Sequence, residues 1–174
     1  GVDMVVGTTG ITEADIDKIE DWTAETEARV IIAPNFAIGA ILMMKFSQMA
    51  AKYLDQAEIV EQHHDQKLDA PSGTAIKTAE LINEVQNTQE KEVDEIEKLT
   101  GARGGEEGNI NIHSVRLSGL VAHQEVLFGG VGQTLKIRHD SIDRRSFMPG
   151  VRLALEKLEE ASDVVYGLEN LMEF

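Results

Sequence analysis

An apolar run, a turn bracketed by glycines, a helix pattern and a second apolar run open the chain in that order, and few folds accommodate the order. Val2 to Val6 (VDMVV) reads as a short strand closed by Gly7, Thr8, Thr9 and Gly10. Thr12, with Asp15 three residues on, caps a helix to about Thr26 with Ile16, Ile19 and Trp22 on one face. Arg29 to Ala33 (RVIIA) then returns as a second buried strand. A helix-length connection between two strands makes them a parallel pair, so the chain opens as an α/β unit.

The pattern changes downstream. Ala37 to Leu54 is rich in Met, Ala, Leu and Ile and reads as a largely buried helix, with the methionines as core filler rather than a ligand set. Ala57 to Glu61 is a strand and Ser72 to about Gln86 a helix. Three β-type runs follow at Ile110 to Leu117, Leu120 to Phe128 and Thr134 to His139, the last two joined by a hairpin through Gly129, Gly130 and Gly132. Leu135 and Ile137 alternate with Lys136 and Arg138, as in a sheet with one buried face. Arg144 to Glu160 closes the region as a helix that Pro149 and Gly150 bend or interrupt near its start. The helices at 72–86 and 144–160 are expected to cover one face of an antiparallel or mixed sheet, and Glu84 to Gly108 reads as a long, partly flexible connection. The class is therefore α/β with an α+β continuation.

Charge and composition narrow the function. Against 31 Asp and Glu the chain has only 16 Lys and Arg, a formal net charge of -15. Nucleic-acid binders displace counterions with a basic surface, so nucleic acid is an unlikely partner on this count, as is an anionic membrane. The longest stretch without charge, Val30 to Met44, falls short of the roughly 20 residues of a spanning helix and is broken by Pro34 and Asn35. With no cysteine, thiol nucleophiles and Cys-ligated metals are excluded, and a cytoplasmic location fits. The chain begins without Met, directly on a strand, and is expected to be a processed product or a fragment.

The densest chemistry lies at Glu61 to Ala75, EQHHDQKLDAPSGTA. Two histidines, a lysine and two aspartates leave a strand end, and Pro71 breaks the backbone just before a Ser-Gly-Thr helix start. Such a helix N-terminus offers unpaired N–H groups and a positive dipole end, which suit a carboxylate. Lys67 can supply the full charge, and His63 or His64 can move a proton near neutral pH. The bland alternative is that Ser72 only caps a helix and the histidines are solvated. A metal at His63, His64 and Asp65 is disfavoured because successive strand residues point to opposite faces. Gly7 to Gly10 and Ala33 to Phe36 both follow strands, where open α/β sheets bind ligands, and could flank one crevice. His113, Arg116, His123, His139 and Arg144 are the remaining basic groups, some of which should converge on an anion.

The segment from Glu61 through His63, His64, Lys67 and Asp69 to Ala70-Pro71-Ser72-Gly73-Thr74-Ala75 resembles the signature of the dihydrodipicolinate reductase family. The likeness extends to the Gly7 to Gly10 turn, Ala33 to Phe36, Ser114 with Arg116, His123 to Phe128, and His139 through Arg144 to Gly150. Ala122 and Gln133 depart from frequent family residues at hairpin positions.

The resemblance implies NADPH- or NADH-dependent reduction of a cyclic dicarboxylate in lysine biosynthesis through diaminopimelate. His63 would be the general acid and Lys67 an assisting acid or charge partner. His64, Ser72, Gly73 and Thr74 would contact substrate, and Arg144 is a possible additional contact. Gly7, Thr8 and Thr9 with Ala33, Pro34, Asn35 and Phe36 would line the nicotinamide end of the cofactor; no metal is implied. Residues 1–35 would be the end of a Rossmann domain, 36–149 a substrate and tetramerisation domain, and 150–174 a helical segment packing back towards the Rossmann part. The family's G-x-G-x-x-G half would precede Gly1, so the isolated segment is expected to bind dinucleotide poorly. Alternatives are an inactive oligomerisation module and a related amino-acid dehydrogenase. A homotetramer through the C-terminal sheet is the implied assembly.

Overall fold

A computed structural model of the chain describes residues 1–86, 96–161 and 163–174. It divides into two compact units, one of residues 1–41 and 144–174, the other of residues 42–143.

The first unit holds a three-stranded sheet. β1 (Met4–Val6) and β2 (Val30–Ile32) pair in parallel, Met4 opposite Val30, with α1 (Glu13–Thr23) between them in sequence. α1 starts where the sequence places it: Thr12 and Asp15 form a complete capping box. Its outer face differs from the expectation, since Trp22 is exposed while Thr23 is buried. β2 is the central strand and is buried throughout, which is why Val30, Ile31 and Ile32 are apolar at every position rather than alternating. Its other neighbour is β8 (Val164–Tyr166), also parallel. The stretch 150–174, read from sequence as helical, thus contains a strand. Helix α4 (Met148–Lys157) follows a 3₁₀ turn at Arg144–Phe147, so the interruption expected near Pro149 falls at the junction between them.

Helix α2 (Ile38–Ala51) carries the chain from the first unit into the second. The second unit is a five-stranded sheet in the order β4-β5-β3-β6-β7, formed by β3 (Gln56–His63), β4 (Gly105–Glu107), β5 (Ile110–Arg116), β6 (Ala122–Gly130) and β7 (Gln133–Ser141). β3 and β5 are parallel, joined through α3 (Gly73–Asn83), and all other pairs are antiparallel. The sheet is mixed, and β6 and β7 form the expected hairpin.

Alternation sorts this sheet into two faces. Ile59, Glu61 and His63 of β3 pair with Ile112, Ser114 and Arg116 of β5 and with Val126, Gln124 and Ala122 of β6. Ile59, Ile112, Val126 and Phe128 are buried here, and the Gln124 amide donates to Thr78 of α3 at 2.8 Å, which marks this as the face α3 covers. Residues 144–160, expected to share that role, belong to the other unit. The expected connection at 84–108 contains β4, and its residues 87–95 lie outside the described residues.

Candidate active site

β3 runs two residues beyond the predicted Glu61, and this extension builds the site. Glu61 and His63, two apart on one strand, point to the same face, where the pattern Ile59-Glu61-His63 substitutes a carboxylate and an imidazole for core hydrocarbon. Glu61 is fully buried. Its Oε2 lies 2.6 Å from Nδ1 of His63, and its Oε1 accepts the backbone N–H of Ser72 at 3.2 Å. From β5, opposite His63 in register, Arg116 donates to both carboxylate oxygens at 2.7 and 2.9 Å. Burial by itself pushes the Glu61 carboxyl up, but the hydrogen bonds from His63, Arg116 and Ser114 and the guanidinium charge outweigh it and hold the group down to about 2. The carboxylate is therefore ionised and can only accept. Nδ1 of His63 consequently carries a hydrogen, and Nε2 is the nitrogen left for a reacting group. The His63 side chain is 17% exposed.

A turn closed by Lys67 N–H donating to the His64 carbonyl places Lys67 beyond the strand end. Its ammonium donates to both oxygens of Asp69 at 2.7 Å and is 21% exposed. The ammonium holds the exposed Asp69 carboxyl below its ordinary range. Arg116 also donates to the Asp69 carbonyl at 2.7 Å, so the loop carrying Lys67 and the strand carrying His63 share one guanidinium. Ser72 caps α3 by accepting from Ala75 N–H at 3.3 Å. The cap is thus structural, as the bland reading has it, but it coexists with an open helix start: a Cβ added at Gly73 would meet nothing within 4 Å. His63, Lys67, Ser72, Gly73 and Thr74 are brought to one end of the second unit's sheet; His64 and Asp65 begin the turn and join no ion cluster. Among the described residues no three His, Asp or Glu side chains converge as a metal site requires.

Within the first unit the loops after β1 and β2 do meet. Ala33 N–H donates to the Val6 carbonyl at 2.9 Å, and Gly7 lies against Phe36, where a Cβ would come within 2.6 Å of the ring. Thr8 and Thr9 are exposed beside this contact, beyond the carboxyl ends of two parallel strands, and Asn35 turns the second loop by accepting from Ala37 N–H at 2.8 Å. Ala33 is buried and Asn35 and Phe36 are half-buried, so of the two loops it is the one after β1 that stands open.

Of the scattered basic groups described on the second unit's sheet, Arg116 joins the cluster. His113 binds Glu58 at 2.8 Å and His123 binds Asp140 at 2.6 Å, both on the sheet face opposite α3. His139 shares the α3 face, beside Gln124, and burial lowers its pKa. Arg144 belongs to the first unit. Sequence reasoning counted Glu61 only as the start of a motif and Arg116 only as one basic residue among several. The two-residue spacing Glu61-x-His63 on a strand is a signal for Glu61, whereas Arg116 reaches the site through the pairing of β3 with β5.

Comparison with known proteins gives the family. Residues 1–36 match the family model described as "Dihydrodipicolinate reductase, N-terminus", and residues 39–172 the one described as "Dihydrodipicolinate reductase, C-terminus". Over 174 residues the chain is 63% identical to 4-hydroxy-tetrahydrodipicolinate reductase of Halalkalibacterium halodurans and 60% identical to that of Bacillus subtilis, covering 99% of this chain in both cases and 66% and 65% of the relatives. The chain thus spans slightly less than two thirds of the length of these relatives. It also resembles the solved structure of dipicolinate-bound dihydrodipicolinate reductase from Paenisporosarcina sp. TG-14, with a TM-score of 0.87 and 51% identity over 98% of this chain and 65% of the other.

Proposed function

The chain belongs to the dihydrodipicolinate reductase family, and from that membership we propose that the protein it forms part of reduces 4-hydroxy-tetrahydrodipicolinate to tetrahydrodipicolinate with NADPH or NADH. The observation that carries the reading is the grouping of a part-buried, carboxylate-bound imidazole, a part-buried ammonium and an open helix N-terminus at one end of one sheet. That grouping matches a small dicarboxylate that must be held and protonated.

The bound dinucleotide would supply hydride. Gly7, Thr8, Thr9 and Ala33 to Phe36 would hold its nicotinamide end. His63 donates the proton from Nε2, while Nδ1–H stays bonded to Glu61. Lys67, neutralised by Asp69 when no ligand is present, meets the negative charge of the substrate, and the exposed Asp69 can yield its place to a substrate carboxylate. Gly73 and Thr74, at the positive end of α3, take a carboxylate, with Ser72 fixing the helix start and His64 contributing a contact from the turn. Arg144 is proposed as an additional contact. The domain reading stays with residues 1–35 as part of the dinucleotide domain, 36–149 as the substrate and oligomerisation domain and 150–174 as returning to the former. The assembly is proposed to be a homotetramer through the C-terminal sheet, in the cytoplasm; among the described residues no helix is long and apolar enough to cross a membrane. By themselves the 174 residues contain no G-x-G-x-x-G turn and are proposed to be inactive.

In the full-length protein, His63→Gln lowers kcat by roughly 10²- to 10⁴-fold with little change in KM, because a general acid acts mainly in the transition state. Lys67→Ala worsens both parameters, since one ammonium binds substrate and meets developing charge. Steady-state assays of dicarboxylate reduction with each dinucleotide test this. A His63→Gln kcat within about threefold of the unaltered protein overturns the assignment.

A further inference from the structure

We propose that Glu61 is a positioning residue for this reduction: it fixes His63 in the Nδ1–H tautomer, and Arg116 clamps Glu61 in place. The proposal rests on the reading of His63 as the proton donor.

A carboxylate in the packed face of a sheet is costly unless every lone pair is met, and an aliphatic residue such as Ile59, two positions earlier on that face, would fill the place without that cost. The surroundings of Glu61 meet it fully. Arg116 binds both oxygens, Ser72 N–H adds a bond to Oε1, and the remaining direction of Oε2 is given to His63 Nδ1. Any fixed donor could meet that last direction; the strand spacing places an imidazole there instead, at 2.6 Å, with its Nε2 left open.

The chemical consequence follows from the acceptor-only character of the ionised group. With an acceptor at Nδ1, neutral His63 carries its hydrogen there and leaves Nε2 bare, and the cation carries both. A proton lost from Nε2 therefore leaves behind the tautomer that is already hydrogen-bonded, with no ring flip between protonation states. Arg116 ties this orientation to the substrate side, since its guanidinium also holds the Asp69 carbonyl in the loop that carries Lys67.

Glu61→Gln keeps the size and the acceptor oxygen for Arg116 and Ser72, but its amide can turn a donor toward Nδ1 and favour the opposite tautomer. By the logic that makes an Asp-to-Asn change behind a catalytic histidine so damaging, kcat should fall by roughly 10²-fold or more while KM stays within about threefold. Because Glu61 acts through His63, adding Glu61→Gln to His63→Gln should cost less than about threefold further. Long-range proton–nitrogen correlation on full-length protein labelled with ¹⁵N-histidine should report Nδ1–H for neutral His63 and its loss in Glu61→Gln. A Glu61→Gln kcat within about threefold of the unaltered protein, or losses that multiply in the double variant, overturns the proposal. So does neutral His63 protonated at Nε2 in the unaltered protein, a result that needs no variant to fold. If His63→Gln alone retains kcat, the donor assignment itself has failed and this proposal falls with it; if that variant loses kcat and Glu61→Gln does not, only the positioning role falls.

Discussion

Glu61 gives the second unit a specific sensitivity to acid. Its carboxyl titrates near 2 in the folded protein and near the ordinary 4.5 when unfolded. A group with a depressed folded pKa contributes stability that is complete above the unfolded value and is lost as pH falls through the folded one, so the window lies between about 4.5 and 2. At 1.36 kcal/mol per pH unit the contribution is at most roughly 3 kcal/mol. Urea titrations at stepped pH should show the unfolding midpoint falling steeply over that window, and Glu61→Gln should flatten that fall while lowering stability at neutral pH. An unchanged slope in the variant would contradict the assignment. The chemistry of this residue was legible in part. EQHHDQKLDAPSGTA announces a proton and anion site from residue types alone, whereas the roles of Glu61 and Arg116 depend on a strand that continues to His63 and on a parallel partner 53 positions later, a pairing that no local pattern encodes.

Two helical glycines carry opposite expectations. Gly150 in α4 lies against the Phe36 backbone, where a Cβ would overlap the carbonyl oxygen and approach Leu168 to 3.0 Å. Gly150→Ala should destabilise by about 1–3 kcal/mol, the usual cost of overpacking. Gly73, at the start of α3, has open space instead, and Ala is the better helix former, so Gly73→Ala should leave stability equal or slightly higher. If a substrate carboxylate sits at that helix start, the added methyl should still raise KM several-fold. Thermal unfolding and steady-state kinetics on the two variants separate fold from binding, and a stable Gly150→Ala together with an unchanged Gly73→Ala KM would remove both arguments. Elements with strong local signals were readable: the Thr12 capping box, the wholly apolar β2 and the glycine-linked hairpin. β8 was not, because three residues, Val164–Tyr166, are too few to show a period and acquire strand character only by pairing with β2. β4 was missed for the same reason within a glycine-punctuated acidic stretch.

The five-stranded sheet has a second face whose composition bears on assembly. Opposite the α3 side, Val60 and Leu127 lie among Glu58, Gln62, His123 and Glu125, all part-exposed. The charges there are largely paired: Glu58 with Arg103 at 2.6 Å, Lys136 with Glu125 at 3.1 Å, Arg138 with Asp140 at 2.9 Å. Hydrogen bonds from Arg138 hold the Asp140 carboxyl below its usual range, against the opposing effect of burial. A face with apolar centres and self-neutralised charge can meet a copy of itself without burying unpaired ions, and closed two-fold contacts need only such a self-complementary patch. This adds a physical argument to the assembly that the family resemblance implies. The interface should therefore survive without the dinucleotide domain. Light scattering on the 174-residue chain at low micromolar concentration should give a mass well above 19.1 kDa. Leu127→Arg should shift that mass towards one chain, because an unpaired guanidinium at the centre of the patch would have to be desolvated, whereas the same change at exposed Val131 in the hairpin turn should not. A monomer in the unaltered chain would remove the sheet-face argument, and a Leu127→Arg assembly as stable as the original would move the interface elsewhere on the unit.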